Sequence, residues 1–125
     1  MTDGLRTCNY IKKSKIPNAE WGVFAGKNFK KGDIVEKNIF IEESRNMLRN
    51  NVLNSYYFRH PKNINYYIFT FGNISIMNHS ALYSNADAYH FDYGTRIQTC
   101  YATKDVNKDE EIFINYGNSY NSYNF

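Results

Sequence analysis

The chain has 125 residues, 42% of them hydrophobic and 22% charged, with a net charge of +3. That length suits one domain with its own apolar core, and that balance excludes a disordered chain. The Lys and Arg residues are too few and too dispersed for a nucleic-acid footprint, and no apolar run approaches the roughly 20 residues of a membrane span.

The N-terminus, Met1 to Arg6, lacks the apolar stretch of a signal peptide, so the expectation is a soluble intracellular protein. Cys8 and Cys100 stand alone, which argues against a metal site and leaves a disulfide between them open. Tyr (12), Phe (9) and Asn (18) are abundant. Biased codon usage explains such an excess as readily as function does, so each tyrosine has to be argued by position.

In chain order, Lys12, Lys13 and Lys15 read as turns and strand edges. Trp21–Ala25 is a short apolar run. Phe29-Lys30-Lys31-Gly32-Asp33 reads as a turn in which Gly32 takes a positive φ. Ile34–Ile41 is rich in β-branched residues and predicts a strand, broken at Glu42-Glu43-Ser44. Residues 45–58 are the one helical candidate: Met47, Leu48, Val52 and Tyr56 share a face, with Leu53 at its edge, Ser44 is placed to cap the start, and His60-Pro61 ends it. Further strands are expected at Tyr66–Phe71, Ala86–Phe91, Ile97–Ala102 and Ile112–Ile114, with Asn, Asp and Gly residues between them. This is a mostly β chain with one or two short helices.

No hydrolase triad or phosphate-cradling loop is visible. Asp105, Asp109, Glu110 and Glu111 read as a charged turn. Four blocks stand out instead: Glu20-Trp21-Gly22-Val23-Phe24-Ala25, with the Lys30-Lys31-Gly32-Asp33 turn after it; Gly72 to Met77 leading into Asn78-His79-Ser80; Asn85; and Val106 to Gly117, containing Glu110-Glu111-Ile112-Phe113-Ile114-Asn115-Tyr116. Their order and spacing resemble SET-domain protein lysine methyltransferases, over about residues 10 to 120. The compact length looks most like the small SET proteins of large DNA viruses and the stand-alone bacterial ones. Glu20 stands where the family has Gly, Ser84 where it has Pro, Asp109 where it has Gly, and one extra residue separates Ser80 from Asn85.

The resemblance implies a β-clip of several small sheets with a threaded C-terminal pseudoknot, in a single domain over 1–125 whose aromatic end, 118–125, is loose or docked. It implies S-adenosyl-L-methionine as cofactor, bound by Trp21, Gly22, Asn78, His79 and Tyr116. Tyr116 and Tyr56 would act catalytically; Tyr120, Phe113 and Tyr89 would line the substrate channel. The substrate would be a lysine-bearing basic peptide, with a histone tail as candidate, attracted by Glu42 and Glu43 or by Asp87 and Asp92. No membrane or direct nucleic-acid partner is implied, and a homodimer is compatible with so short a chain. A viral or secreted source would place the protein in a host nucleus, and any other source in the cytoplasm. The departures at Glu20, Ser84 and Asp109 leave a second reading open, a SET-fold module that binds a basic peptide without methylating it.

Overall fold

The computed structural model describes residues 7–48 and 57–115. Nine strands carry it: β1 (Tyr10–Lys13), β2 (Trp21–Phe24), β3 (Ile34–Ser44), β4 (Tyr57–Arg59), β5 (Tyr66–Phe71), β6 (Asn78–His79), β7 (Ala86–Asp92), β8 (Ile97–Ala102) and β9 (Phe113–Ile114). β1 and β2 form a two-stranded sheet; the other seven are ordered β4-β5-β3-β8-β7-β9-β6.

β3 is the longest strand, with 11 residues. Its alternation buries Phe40 and Asn38 on one face and exposes Ile39 and Ile41 on the other. It runs through Glu42, Glu43 and Ser44, which were expected to break it, because these three pair with Ile68, Tyr67 and Tyr66 of β5. Pairing across the sheet outweighs the low strand preference of three polar residues. Gly32 takes the expected positive φ, 91°, in the turn that leads into β3.

The helix expected over 45–58 is corrected at both ends. Arg45–Leu48 is a 3-10 turn, with Ser44 Oγ accepting the Asn46 N–H, and Tyr57 and Phe58 belong to β4, where they pair with Phe69 and Ile68. Phe58 is buried in the core, so tertiary packing overrides the helical spacing. The middle of that prediction, 49–56, lies outside the described residues. A second 3-10 turn, Asn73–Ile76, leads into β6.

The core gathers Val23, Phe29, Val35, Phe40, Ile68, Ile74, Met77, Ile112 and Ile114 with small residues of β7 and β8. Cys100 is buried and Cys8 is exposed, and both are free thiols. No helix among the described residues is long and apolar enough to cross a membrane.

Segment 109–114 joins the two sheets. Asp109 N–H donates to Ala25 O (2.7 Å), Ala25 N–H to Glu110 O (2.8 Å) and Ile112 N–H to Val23 O (2.7 Å), so the segment first runs against β2. It then enters the large sheet as β9, parallel to β6 on one side and to β7 on the other. Asn85, at the head of β7, fixes that entry. Its Nδ2 donates to Glu111 O, its Oδ1 accepts the Phe113 N–H, and its own N–H donates to Phe113 O. The extra residue before Asn85 is absorbed in the turn at 81–84, where Ser80 Oγ accepts the Tyr83 N–H and Leu82 and Tyr83 are exposed.

Candidate active site

The insertion of β9 puts the two main sequence motifs side by side. Asn78 is the register partner of Phe113, and His79 of Ile114. The chain then runs through Asn115 towards Tyr116, which lies outside the described residues, as do Tyr56 and Tyr120.

Asn78 is half-buried at the start of β6. Its Nδ2 donates to Trp21 O (2.9 Å) and to Glu111 Oε2 (3.1 Å). An amide has two N–H donors and one carbonyl acceptor, so these bonds commit both hydrogens and leave Oδ1 as the acceptor. Gly22 lies against the same pair. A Cβ there would sit 2.3 Å from Glu111 Oε2 and 3.3 Å from Asn78 Nδ2, so the close approach requires glycine. Trp21 is 58% exposed; it is not a core residue, and its indole is open at the rim of this arrangement. Glu20 beside it is also exposed.

His79 is buried, and burial holds its imidazole below the ordinary histidine range, partly offset by a hydrogen bond with the Ile114 backbone. That bond ties β6 to β9. Phe113 is half-buried on β9. Tyr89 lies on β7 and packs against other aromatic rings. Its ring meets Phe58 at 5.6 Å and Phe91 at 6.0 Å, both edge-on, in an aromatic wall that continues to Phe40 and Tyr93.

Glu111 is the residue the sequence reading missed. It was read as part of a charged turn, yet it is only 4% exposed. Its carboxylate accepts from Ser14 Oγ (2.7 Å), from Lys15 N–H (2.9 Å) and from Asn78 Nδ2. The local signal is the apolar run Ile112-Phe113-Ile114 directly after Glu111, which marks the chain as leaving the turn for the interior, where Glu111 bridges Phe24. Asp109 and Glu110 do belong to the turn, Asp109 accepting from Tyr10 Oη and Glu110 from the Asn107 N–H.

The acidic edges expected to draw a basic peptide are largely engaged within the chain. Glu42 pairs with His60 and Arg96, Asp87 with His90, and Asp92 accepts the Gly94 and Thr95 N–H groups of the β7–β8 turn. Among the described residues no group of His, Cys, Asp and Glu side chains is arranged to hold a metal ion.

A seven-stranded sheet with a late strand inserted in parallel beside an Asn-His pair defines a class of fold, and comparison with known proteins identifies it. The SET domain family model matches residues 20–117. The chain belongs to the SET domain family. A Plasmodium falciparum protein assigned to the histone methyltransferases has a crystal structure similar to this fold, with 28% identity and a TM-score of 0.74, over 92% of this chain and 97% of that one. The Chaetomium thermophilum polycomb repressive complex 2 shares the fold at 21% identity and a TM-score of 0.71, over 90% of this chain and 15% of that chain. The same complex in an autoinhibited conformation bound to S-adenosylmethionine matches at 21% identity and a TM-score of 0.69, over 87% of this chain and 15% of that one. No curated protein matches the chain in sequence.

Proposed function

We propose that the chain is a protein lysine methyltransferase, moving a methyl group from S-adenosylmethionine to the ε-amine of a lysine, with a histone tail as the candidate substrate. The observation that carries this reading is the Asn78 amide. Both of its hydrogens are held by Trp21 O and Glu111, so what the amide has left to offer a ligand is the acceptor Oδ1. An acceptor beside the exposed Trp21 ring suits an ammonium group next to a sulfonium, because a π face attracts cations. The amino-acid end of S-adenosylmethionine has that chemistry, so the residues present fit the cofactor. When bound, it supplies an electrophilic methyl group.

The chain's own residues then have to align the amine, exclude water and favour its neutral form. Burial lowers the pKa of a lysine amine readily, so a narrow aromatic channel serves all three needs. Trp21 and Gly22 would underlie the cofactor, and the His79 backbone would meet the adenine edge. Tyr116 would orient the amine through its hydroxyl. Tyr56, Tyr120, Phe113 and Tyr89 would line the approach.

Calorimetric titration of S-adenosylmethionine into the pure chain tests the first half. Incubating labelled cofactor with core histones and peptide arrays, read by mass spectrometry, tests the second. No binding at millimolar cofactor sinks the enzyme and leaves the non-methylating peptide-binding module. Tyr116→Phe is expected to lose about 100-fold or more of the transfer rate, the scale of a positioned catalytic hydroxyl, while still binding cofactor. Unchanged turnover in that variant removes Tyr116 from the chemistry.

A further inference from the structure

We infer that Glu111 is a positioning residue: its buried carboxylate sets the orientation of the Asn78 amide, and so decides whether the site shows a ligand an acceptor or a donor. This rests on the cofactor reading above and adds a residue to it. An amide flipped by 180° would have the same shape and the opposite polarity, so something has to select one state. Trp21 O favours the observed one, but a carbonyl rim contact is a single neutral acceptor. Glu111 Oε2, 3.1 Å from Nδ2, is a charged acceptor on a side chain that is itself buried, and a bond to an ionised group is about twice as strong as a neutral one.

Glu111 is itself held on both oxygens. Oε2 also accepts from Ser14 Oγ and Oε1 accepts from the Lys15 N–H, while Gly22 offers no Cβ to push it aside. The loop at Ser14 and Lys15 and the Asn78 amide are therefore coupled through one carboxylate. Glutamine has the same shape, but its NH2 group must face either Asn78 Nδ2 or the Lys15 N–H. Both are donors, so Glu111→Gln creates a donor–donor conflict in either orientation.

The experiment measures two things in the full chain, wild type and Glu111→Gln. The first is side-chain amide exchange of Asn78 by NMR. The second is calorimetric affinity for S-adenosylmethionine and for its des-amino analogue, which lacks the ammonium. Slow Asn78 exchange is expected in the wild type and fast exchange in the variant. The wild type should prefer the amino form by about tenfold or more, the scale of one hydrogen bond to a charged group, and the variant should lose most of that preference. General loosening would weaken both ligands alike and leave their ratio unchanged, so an unchanged ratio overturns the inference, as does unchanged Asn78 exchange. If the wild type binds neither ligand but Asn78 exchange still depends on Glu111, the cofactor reading fails and the positioning role stands. If Glu111→Gln does not fold, Glu111→Asp replaces it. That variant keeps the charge but is one methylene too short to span Ser14, Lys15 and Asn78 together, and the same two readouts apply.

Discussion

Asp109 occupies the left-handed backbone region, φ 72°, at the position where the family carries glycine. Asp and Asn tolerate that conformation better than other side chains, and Tyr10 Oη donates to its carboxylate at 2.7 Å, which in turn raises the Tyr10 pKa. The departure is thus accommodated locally. Asp109→Gly is expected to change stability by less than about 1 kcal/mol, whereas Asp109→Val should cost about 1–2 kcal/mol, because a β-branched residue fits this region poorly. Urea unfolding of both variants checks this, and equal stabilities would contradict it. Gly22 has the opposite character. Gly22→Ala would place a methyl group 2.3 Å from Oε2 of the buried Glu111 carboxylate, an oxygen held by Ser14 Oγ and Asn78 Nδ2 while Lys15 N–H holds the other. Overpacking of this kind costs about 1–3 kcal/mol, and the variant should also weaken S-adenosylmethionine binding by disturbing Asn78. A Gly22→Ala protein as stable as the wild type would show that the Glu111 side chain can move aside.

Among the elements, β9 bears the most on the site, although it is two residues long. It has backbone partners on both sides, and Ile112 and Ile114 are fully buried. Deleting the Ile114 side chain should therefore cost about 2–4 kcal/mol, the range for truncating a fully buried aliphatic residue, and should loosen β6 with it. Hydrogen exchange at Ser80 reads this out, since its N–H donates to Ile114 O. Protection at Ser80 that survives Ile114→Ala would mean β6 is held independently of β9. Element assignment from sequence succeeded for β5 and β8, whose bounds match the β-branched and aromatic runs at Tyr66–Phe71 and Ile97–Ala102. It failed at Arg45–Leu48, a 3-10 turn, and at Tyr57 and Phe58, which belong to β4. Met47, Leu48, Val52 and Tyr56 have helical spacing, but Phe58 finds its burial against β5, and local spacing carries no information about that partner.

At the scale of the whole molecule, two histidines, His79 buried and His60 half-buried, make stability depend on pH. The Lys62 and Asn63 N–H groups both donate to His60 Nδ1, so its proton sits on Nε2, which donates to Glu42 at 2.7 Å. Arg96 pairs with the same carboxylate, the Tyr93 ring stacks on His60, and the Lys62 ammonium lies over that ring. Burial, with Lys62 adding to it, holds the His60 pKa below its ordinary 6.5, and burial lowers that of His79 too. For a depressed pKa the unfolded chain binds the proton more readily, so the contribution is complete above about 6.5 and is lost as pH falls towards the folded values. Thermal unfolding midpoints should therefore fall between pH 7.5 and pH 5. A flat profile would show that neither histidine is held neutral.

The sequence by itself determined the family and most of the strands, because strand propensity, turn chemistry and motif spacing are local properties of the chain. It also named Trp21, Gly22, Asn78, His79 and Tyr116 as one group; the structure places Trp21, Gly22 and Asn78 in contact, with His79 next to them on β6, while Tyr116 lies outside the described residues. Only the tertiary structure decided that Glu111 is a buried acceptor and not a charged turn, and which way the Asn78 amide is turned. The physical reason is distance along the chain. Glu111 lies 97 residues from Ser14 and 33 from Asn78, and the three meet only because segment 109–114 runs first against β2 and then enters the large sheet as β9 between β6 and β7. A hydrogen bond between such positions leaves no periodicity or spacing in the sequence from which it could be read.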